Sequence, residues 1–261
     1  MTATPRRRTG CRLADLTWPE AADLIGDGLP ILLPVGAAAK AHGPHLPLGT
    51  DRLVAEAVAE RLLAQLPLLI APTIGAGYYP AFVDYPGSQH VGAATFQALV
   101  TELAESYLRH GAERIVILNN GVSTAAPLQL AAHDILHRHG IRIVIANLPA
   151  LGHSCDGLWE AEPGGHADEK ETSLLLAIAP ALVRLGRLAD TVPPAAEEED
   201  AAPLHLRRPV RLTPEERPGG SLSRSGATGD ATRATAQKGE KLLAAIIADI
   251  VADLRRLWPD L

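Results

Sequence analysis

Short apolar runs alternate with longer amphipathic segments along the chain. The runs are four to six residues long and predict buried strands at 30–35, 68–71, 114–118 and 142–147. Helical spacing of apolar residues predicts a short helix after Thr17 and longer ones over 52–66, 95–110, 127–139, 172–185 and 242–258. This alternation is typical of βαβ units. We therefore predict an α/β fold, a single domain with a mainly parallel sheet flanked by helices.

The connections that follow the predicted strands are the places to look for chemistry. In parallel sheets, ligands collect beyond the carboxyl ends of the strands. Those connections are 36–51, 75–90, 119–124 and 148–170. We expect them to converge at one edge of the sheet.

The first of these loops carries the densest set of functional side chains. Residues 33–51 read LPVGAAAKAHGPHLPLGTD and set out His42, His45 and Asp51. Prolines and glycines interrupt any helical periodicity, so the loop is stiff and irregular. Imidazoles and a carboxylate on such a loop predict a site. Lys40 could form an ion pair with Asp51 there, or simply point to solvent.

Two other loops supply candidate binding residues. The loop over 75–90 concentrates aromatic rings. Those of Tyr78, Tyr79, Phe82 and Tyr85 either wall a pocket for a small organic ligand or cover a core edge. Asn119 and Ser123 belong to a loop rich in amides and hydroxyls, which suits an anion or a carbonyl oxygen.

Composition narrows the class of partner. The net charge of −6 gives no reason to expect nucleic acid or an acidic membrane surface. No apolar run approaches the ~20 residues that a membrane span needs. The two cysteines are isolated, which favours a reducing compartment. We expect a cytoplasmic protein whose partner is a small-molecule substrate, with no nucleotide cofactor.

The predicted domain has two less ordered parts. Residues 1–10 read as a flexible N-terminal tail, which leaves 11–261 for the α/β domain. An excursion over about 186–224 contains prolines, an acidic run and a basic pair. Such composition is typical of a solvated segment, and less often of an interaction module.

Five ordered motifs resemble the creatininase (creatinine amidohydrolase) family. The first is HGPHLPLGTD at 42–51. The others are YPGS at 85–88, the stretch from His110-Gly111 to Asn119, HADEKETS at 166–173, and SGATGD at 225–230 with the residues that follow it. The resemblance implies a compact α/β fold, often a homohexamer, and a two-metal centre that activates water against cyclic or linear amides.

Carried over residue by residue, the resemblance is incomplete at the metal centre. His42 matches the first histidine ligand and Asp51 the bridging aspartate, while His166 matches the histidine next to the substrate. Three other positions depart from the family pattern. Lys40 stands where a glutamate ligand is expected, and Gly121 and Ser123 stand where a histidine and an acidic residue are expected.

The resulting hypothesis is an amidohydrolase acting on a small polar amide, lactam or imide. His166 would be the proton shuttle, and one divalent metal, Zn or Mn, could sit on His42 and Asp51 with help from His166, Glu169 or Glu171. Two alternatives stay open. One is a metal-free acid/base enzyme that uses Lys40, Asp51 and His166. The other is a non-catalytic homologue that binds a small molecule or supports an oligomeric partner.

Overall fold

A computed structural model describes residues 9–162, 164–192 and 223–261. Within these ranges five parallel strands form one sheet. The strands are β1 (Cys11–Arg12), β2 (Ile31–Val35), β3 (Leu69–Ile70), β4 (Ile115–Asn119) and β5 (Ile143–Asn147). Their spatial order is β1-β3-β2-β4-β5. The predicted α/β domain with a mainly parallel sheet is confirmed.

β2 and β4 form the centre of the sheet, and all of their residues are buried. They consist mainly of Ile, Leu and Val, as expected for strands covered on both faces. Ile31 pairs with Ile115, Val35 pairs with Asn119, and Asn119 pairs with Asn147 of β5. Three strands therefore end level with one another, and the loops that follow them start from the same edge.

Helices cover both faces of this sheet. In the described ranges they are α1 (Trp18–Gly26), α2 (Thr50–Leu63), α3 (Ala93–Arg109), α4 (Ala125–His139), α5 (Glu169–Ile178) and α6 (Ala236–Leu257). Apolar side chains of α2, α5 and α6 pack with Leu32 and Val116 on one face. Those of α1, α3 and α4 pack with Ile31 and Ile117 on the other. The alternating side chains of each strand thus feed two separate apolar layers.

Helices α5 and α6 pack closely against each other. Gly239 of α6 rests against the backbone carbonyl of Ser173 in α5, and a methyl group at position 239 has no room. Glycine is required there for the close approach rather than for an unusual backbone angle. This contact fixes the position of α5, whose first turn reaches the charged edge of the sheet.

Several bounds differ from the predicted ones, for local reasons. α3 begins at Ala93, so Thr95 lies inside the helix and does not cap it. α5 begins directly after Asp168 and ends before Pro180, which cannot continue a helix. α6 begins after Thr235, whose side chain accepts the backbone N–H of Lys238. β1 was not predicted, because two residues are too few to show a strand period.

Two sequence-based predictions fall largely outside the described ranges. Of the N-terminal tail only residues 9 and 10 are described, and of the excursion over 186–224 only its two ends. The first of those ends belongs to a 3-10 segment, Leu185–Thr191. In the part of the chain that the structure describes, no helix is both long and apolar enough to cross a bilayer.

Candidate active site

The loop between β2 and α2 folds back onto the first turn of α2. A Cβ atom at Gly36 would lie 2.5 Å from the backbone oxygen of Asp51, so only glycine allows this approach. Farther along, the backbone N–H of Lys40 donates to the carbonyl of Leu48 at 2.9 Å. These constraints turn the Lys40 side chain toward Asp51.

Asp51 is the centre of a buried charge cluster. Its side chain is 1% exposed, and its two carboxylate oxygens face different donors. Nζ of Lys40 lies 2.7 Å from Oδ2, and Nε2 of His42 lies 2.8 Å from Oδ1. Burial alone would raise the pKa of Asp51, but the charges of Lys40 and His42 and their hydrogen bonds hold it well below its usual range. Asp51 is therefore a fixed anion.

His42 is held between two oxygen acceptors. Its Nδ1 lies 2.8 Å from the carbonyl oxygen of Lys40, while Nε2 faces Asp51. The ring is completely buried. Both contacts are hydrogen bonds only when each ring nitrogen carries a proton. The two contacts leave the ring one orientation.

His166 reaches the same place from the loop that precedes α5. Its Nε2 donates to the carbonyl of Ala41 at 2.9 Å, which leaves Nδ1 with the lone pair. The ring centroids of His166 and His42 are 4.8 Å apart. Burial, followed by the positive charges of His42 and Lys40, lowers the pKa of His166 well below its ordinary value. His166 is thus a neutral imidazole with a defined tautomer.

Glu171 joins the cluster beside His166. Its Oε2 accepts the backbone N–H of Ala167 at 2.6 Å and lies 3.5 Å from Nδ1 of His166. Burial raises the pKa of Glu171, although the positive charges of His42 and Lys40 oppose this. The side chain is 29% exposed, because it stands on the wall of a cavity. Sequence reasoning named Glu171 only as an auxiliary metal ligand.

The first turn of α5 separates two neighbouring glutamates. Asp168 caps the helix by accepting the backbone N–H groups of Lys170 and Glu171 at 2.9 and 3.2 Å. Glu171 then faces the charge cluster. Glu169 points elsewhere and accepts two backbone N–H groups and the ammonium of Lys238. Of the two glutamates considered as metal ligands, only Glu171 lies at the cluster.

The cluster opens into a cavity of about 290 Å³. Lys40, His166 and Glu171 form part of its polar wall. Much of the remaining wall is apolar and includes Val54, Phe82, Leu148, Leu151, Leu174 and Ile246. A charged end and apolar walls are typical of a site for a small organic molecule.

The aromatic loop contributes Phe82 to this cavity. The ring of Phe82 lies 4.6 Å from the ring of His166, centroid to centroid. Tyr79 is 2% exposed and belongs to the same apolar cluster as Phe82. The hydroxyl of Tyr85 donates to the carbonyl of Ser223. Tyr78 pairs its ring with a neighbouring histidine. Of the four rings that the sequence suggested as pocket walls, that of Phe82 lines the cavity and those of the three tyrosines do not.

The loop after β4 places Ser123 and Asn120, rather than Asn119, on the cavity wall. Asn119 is completely buried, and its amide donates to the carbonyl of Gly121 and to Asn147. Ser123 lines the cavity, but its hydroxyl donates to the backbone of Tyr78 at 2.6 Å. Asn120, which the sequence did not single out, lines the cavity and donates to the backbone oxygen of Asp51.

Fold and site together define an α/β protein with a charged cavity at the carboxyl edge of its parallel sheet. The family model Creatininase, described as creatinine amidohydrolase, matches residues 14–254 of the chain. The chain belongs to the creatininase family.

Two relatives and one solved structure show how far the similarity extends. The chain is 32% identical over 254 residues to the mycofactocin precursor peptide peptidase of Mycobacterium ulcerans (strain Agy99), covering 93% of this chain and 87% of the relative. It is 28% identical over 269 residues to the creatinine amidohydrolase of Pseudomonas putida, covering 95% and 97%. A mutant creatininase described as Zn-Zn type superposes with a TM-score of 0.76 at 25% identity, covering 96% and 99%.

The side chains at the expected metal centre do not fit a metal pair. Two divalent ions about 3.5–4 Å apart need several carboxylate and imidazole ligands. Here Asp51 instead forms an ion pair with the ammonium of Lys40. Gly121 offers no side chain, and the hydroxyl of Ser123 is engaged with the backbone of Tyr78. The three positions at which the resemblance expects further ligands therefore hold no carboxylate or imidazole side chain.

One smaller set of donors does lie close together. Among the described residues, a group that could surround a single ion consists of His42, His166 and Glu171, whose ligand atoms lie within 4.8 Å of one another. Asp51 is not part of that group. The sequence suggested His42 and Asp51 as metal ligands. In the structure, Nε2 of His42 is instead within hydrogen-bond distance of Oδ1 of Asp51, at 2.8 Å.

Proposed function

We propose that this protein is a creatininase-family hydrolase that opens a small polar amide, lactam or imide. The observation that carries the proposal is the shared cavity of Lys40, His166 and Glu171. A cation, a neutral imidazole and a carboxyl group lie there within reach of one small molecule. Relatives named for creatinine hydrolysis and for peptide cleavage support hydrolysis of a C–N bond.

Each of these groups has a definite chemical part in such a hydrolysis. Nδ1 of His166 carries the lone pair and can take a proton from water as the oxygen attacks the carbonyl carbon. Glu171 stands 3.5 Å from that nitrogen and is placed to orient the water. The ammonium of Lys40 stabilises the negative charge that develops on the carbonyl oxygen. His166 then returns the proton to the leaving nitrogen as the C–N bond breaks.

Asp51 and His42 act through their neighbours. Asp51 is 1% exposed and does not line the cavity. Its carboxylate fixes the position of Lys40, and His42 fixes the carboxylate from its other side. Both are positioning residues in this account.

A metal-free acid/base enzyme acting on another carbonyl compound is the second candidate. The 2.7 Å ion pair between Lys40 and Asp51 favours it, because a preorganised ammonium next to His166 can also assist elimination or ring closure. Release of a carboxylic acid product distinguishes hydrolysis from these reactions.

A substrate panel tests the proposal directly. Cyclic imides, lactams, hydantoins and creatinine are incubated with the protein, and ring opening is followed by chromatography. We expect turnover of at least one compound, with loss of activity in His166→Ala and Glu171→Gln. His137→Ala is the matched control, because His137 is exposed on α4 and away from the cavity. Binding of a panel member without any turnover would favour the non-catalytic alternative.

Assembly is a further part of the proposal. We propose a homo-oligomer, with a hexamer as the specific expectation from the family resemblance. Light scattering coupled to size-exclusion chromatography measures the mass directly and can be compared with the 27.5 kDa of one chain.

A further inference from the structure

We propose that the ammonium of Lys40 is the resident cation of this centre and replaces a divalent ion against Asp51. The inference concerns what the centre binds, so it holds or fails whether or not the chain is a hydrolase. A creatininase described as Zn-Zn type would suggest that this centre holds metal, and the proposal predicts that it does not.

The carboxylate of Asp51 is already engaged by side chains of the protein itself. Its Oδ2 lies 2.7 Å from Nζ of Lys40, and its Oδ1 lies 2.8 Å from Nε2 of His42. Both oxygens thus face nitrogen atoms of the protein itself. The positive charge that a buried carboxylate requires is supplied from within the chain.

The surroundings of Lys40 hold its side chain in this position. The residue is only 6% exposed. Its Nζ lies 4.9 Å from the ring centroid of Phe82 and 5.4 Å from that of Tyr79. Ring faces attract a desolvated ammonium, so they stabilise it together with the carboxylate. These contacts are inconsistent with a lysine that merely points to solvent.

The loop after β4 is packed tightly at a position where the resemblance expects a metal ligand. The side chain of Thr124 occupies the space beside Gly121, and a Cβ at Gly121 would lie 2.5 Å from its hydroxyl oxygen. That hydroxyl donates to Asn119 at 2.7 Å. A histidine side chain at position 121 would therefore clash with Thr124.

The ammonium of Lys40 would also repel a single ion bound by His42, His166 and Glu171. His42 belongs both to that donor group and to the cluster with Asp51 and Lys40. To ligate an ion, His42 would have to give up its contact with the carbonyl of Lys40 or its contact with Asp51, and the divalent charge would then stand near the ammonium of Lys40 in a poorly screened site. The ammonium of Lys40 thus opposes metal binding at these donors as well as at Asp51.

Calorimetric titration with Zn²⁺ and with Mn²⁺ tests the proposal on the full chain after removal of adventitious metal. We expect no stoichiometric binding by the wild type. Lys40→Glu exchanges the cation for the ligand type of the family pattern, and we expect its Zn²⁺ affinity to rise at least about 100-fold. Lys170→Glu is the matched control: it makes the same charge change on the same cavity wall, away from Asp51. We expect no comparable gain from it.

Two results would overturn the proposal. One is stoichiometric binding of Zn²⁺ or Mn²⁺ by the wild type that His42→Ala abolishes. The other is a folded Lys40→Glu protein, verified by circular dichroism, whose metal affinity matches the wild type or the Lys170→Glu control. If Lys40→Glu does not fold, stoichiometric metal binding by the wild type would still overturn the proposal, since that titration needs no variant.

Discussion

Nζ of Lys40 lies 2.7 Å from Oδ2 of Asp51, and both side chains are almost completely buried. Breaking a buried pair costs more free energy than forming it contributes, because the remaining charge has no water around it. The pair is therefore expected to be a structural requirement as well as part of the site. This double dependence makes its contribution measurable by stability as well as by activity.

Lys40→Met should lower the free energy of unfolding by about 3–5 kcal/mol, because it leaves Asp51 buried with one donor fewer. Adding Asp51→Asn removes the charge that is left behind and should recover part of the loss. Urea denaturation of the two single variants and the double variant measures the coupling. Additive losses would show that the two side chains do not interact as described.

An exposed ion pair provides the comparison for that experiment. Arg12 and Glu60 lie 2.6 Å apart, but their side chains are 54% and 42% exposed. Arg12→Met should change the free energy of unfolding by no more than about 1 kcal/mol, since water screens the pair.

His45 should make stability depend on pH between about 4 and 6.5. Burial, followed by the charge of His42, lowers its pKa from 6.5 to about 4. In that window the unfolded chain binds a proton that the folded chain does not, so the free energy of unfolding falls as pH falls. The contribution is about 1.4 kcal/mol per pH unit and is complete above 6.5.

Urea denaturation at several pH values isolates this contribution. His166 acts in the same direction, so the slope must be compared between variants. His45→Gln should reduce it, while His137→Gln, at an exposed position, should leave it unchanged. An unchanged slope in His45→Gln would mean that His45 titrates normally in the folded protein.

Glu169 and Glu171 should respond oppositely to the same substitution. Glu171→Gln should lower turnover by about 100-fold, because Glu171 lines the cavity beside His166. Glu169→Gln should leave turnover unchanged and lower stability by about 1.5–3 kcal/mol, since its buried carboxylate binds Lys238. Parallel kinetics and melting curves separate the two effects. Equal loss of turnover in both variants would contradict the assignment of Glu171.

The contact between α5 and α6 should tolerate no added methyl group at Gly239. Gly239→Ala would place its Cβ against the backbone of Ser173 and should cost about 3 kcal/mol or more through backbone shifts. Gly26→Ala, at the end of α1 with open space around it, should be neutral or stabilising by up to about 1 kcal/mol. Thermal unfolding of both variants measures the difference.

The sequence was sufficient to predict the parallel α/β sheet and the importance of the first loop. Apolar runs at strand length gave the architecture, and the loop's histidines and aspartate identified the edge. The convergence of His42 with His166 follows from topology, because both residues lie in loops at that edge. Sequence spacing does not give the distances between their atoms.

Side-chain direction was the part that sequence could not supply. Glu169 and Glu171 are two positions apart in the first turn of a helix, so they point to different sides. The sequence does not show which of the two faces the cavity. In the aromatic loop, the irregular backbone directs Phe82 toward the cavity, whereas Tyr79 is buried in the cluster that includes Phe82. Loops without a period leave no pattern from which such directions can be read.

A crystal structure of the as-isolated protein, with diffraction recorded on both sides of the zinc absorption edge, tests the central claim most directly. The account predicts no anomalous peak between His42 and Asp51, and density for the Lys40 side chain ending within hydrogen-bond distance of Oδ2 of Asp51. A strong anomalous peak at that position, with Lys40 displaced from the carboxylate, would contradict it.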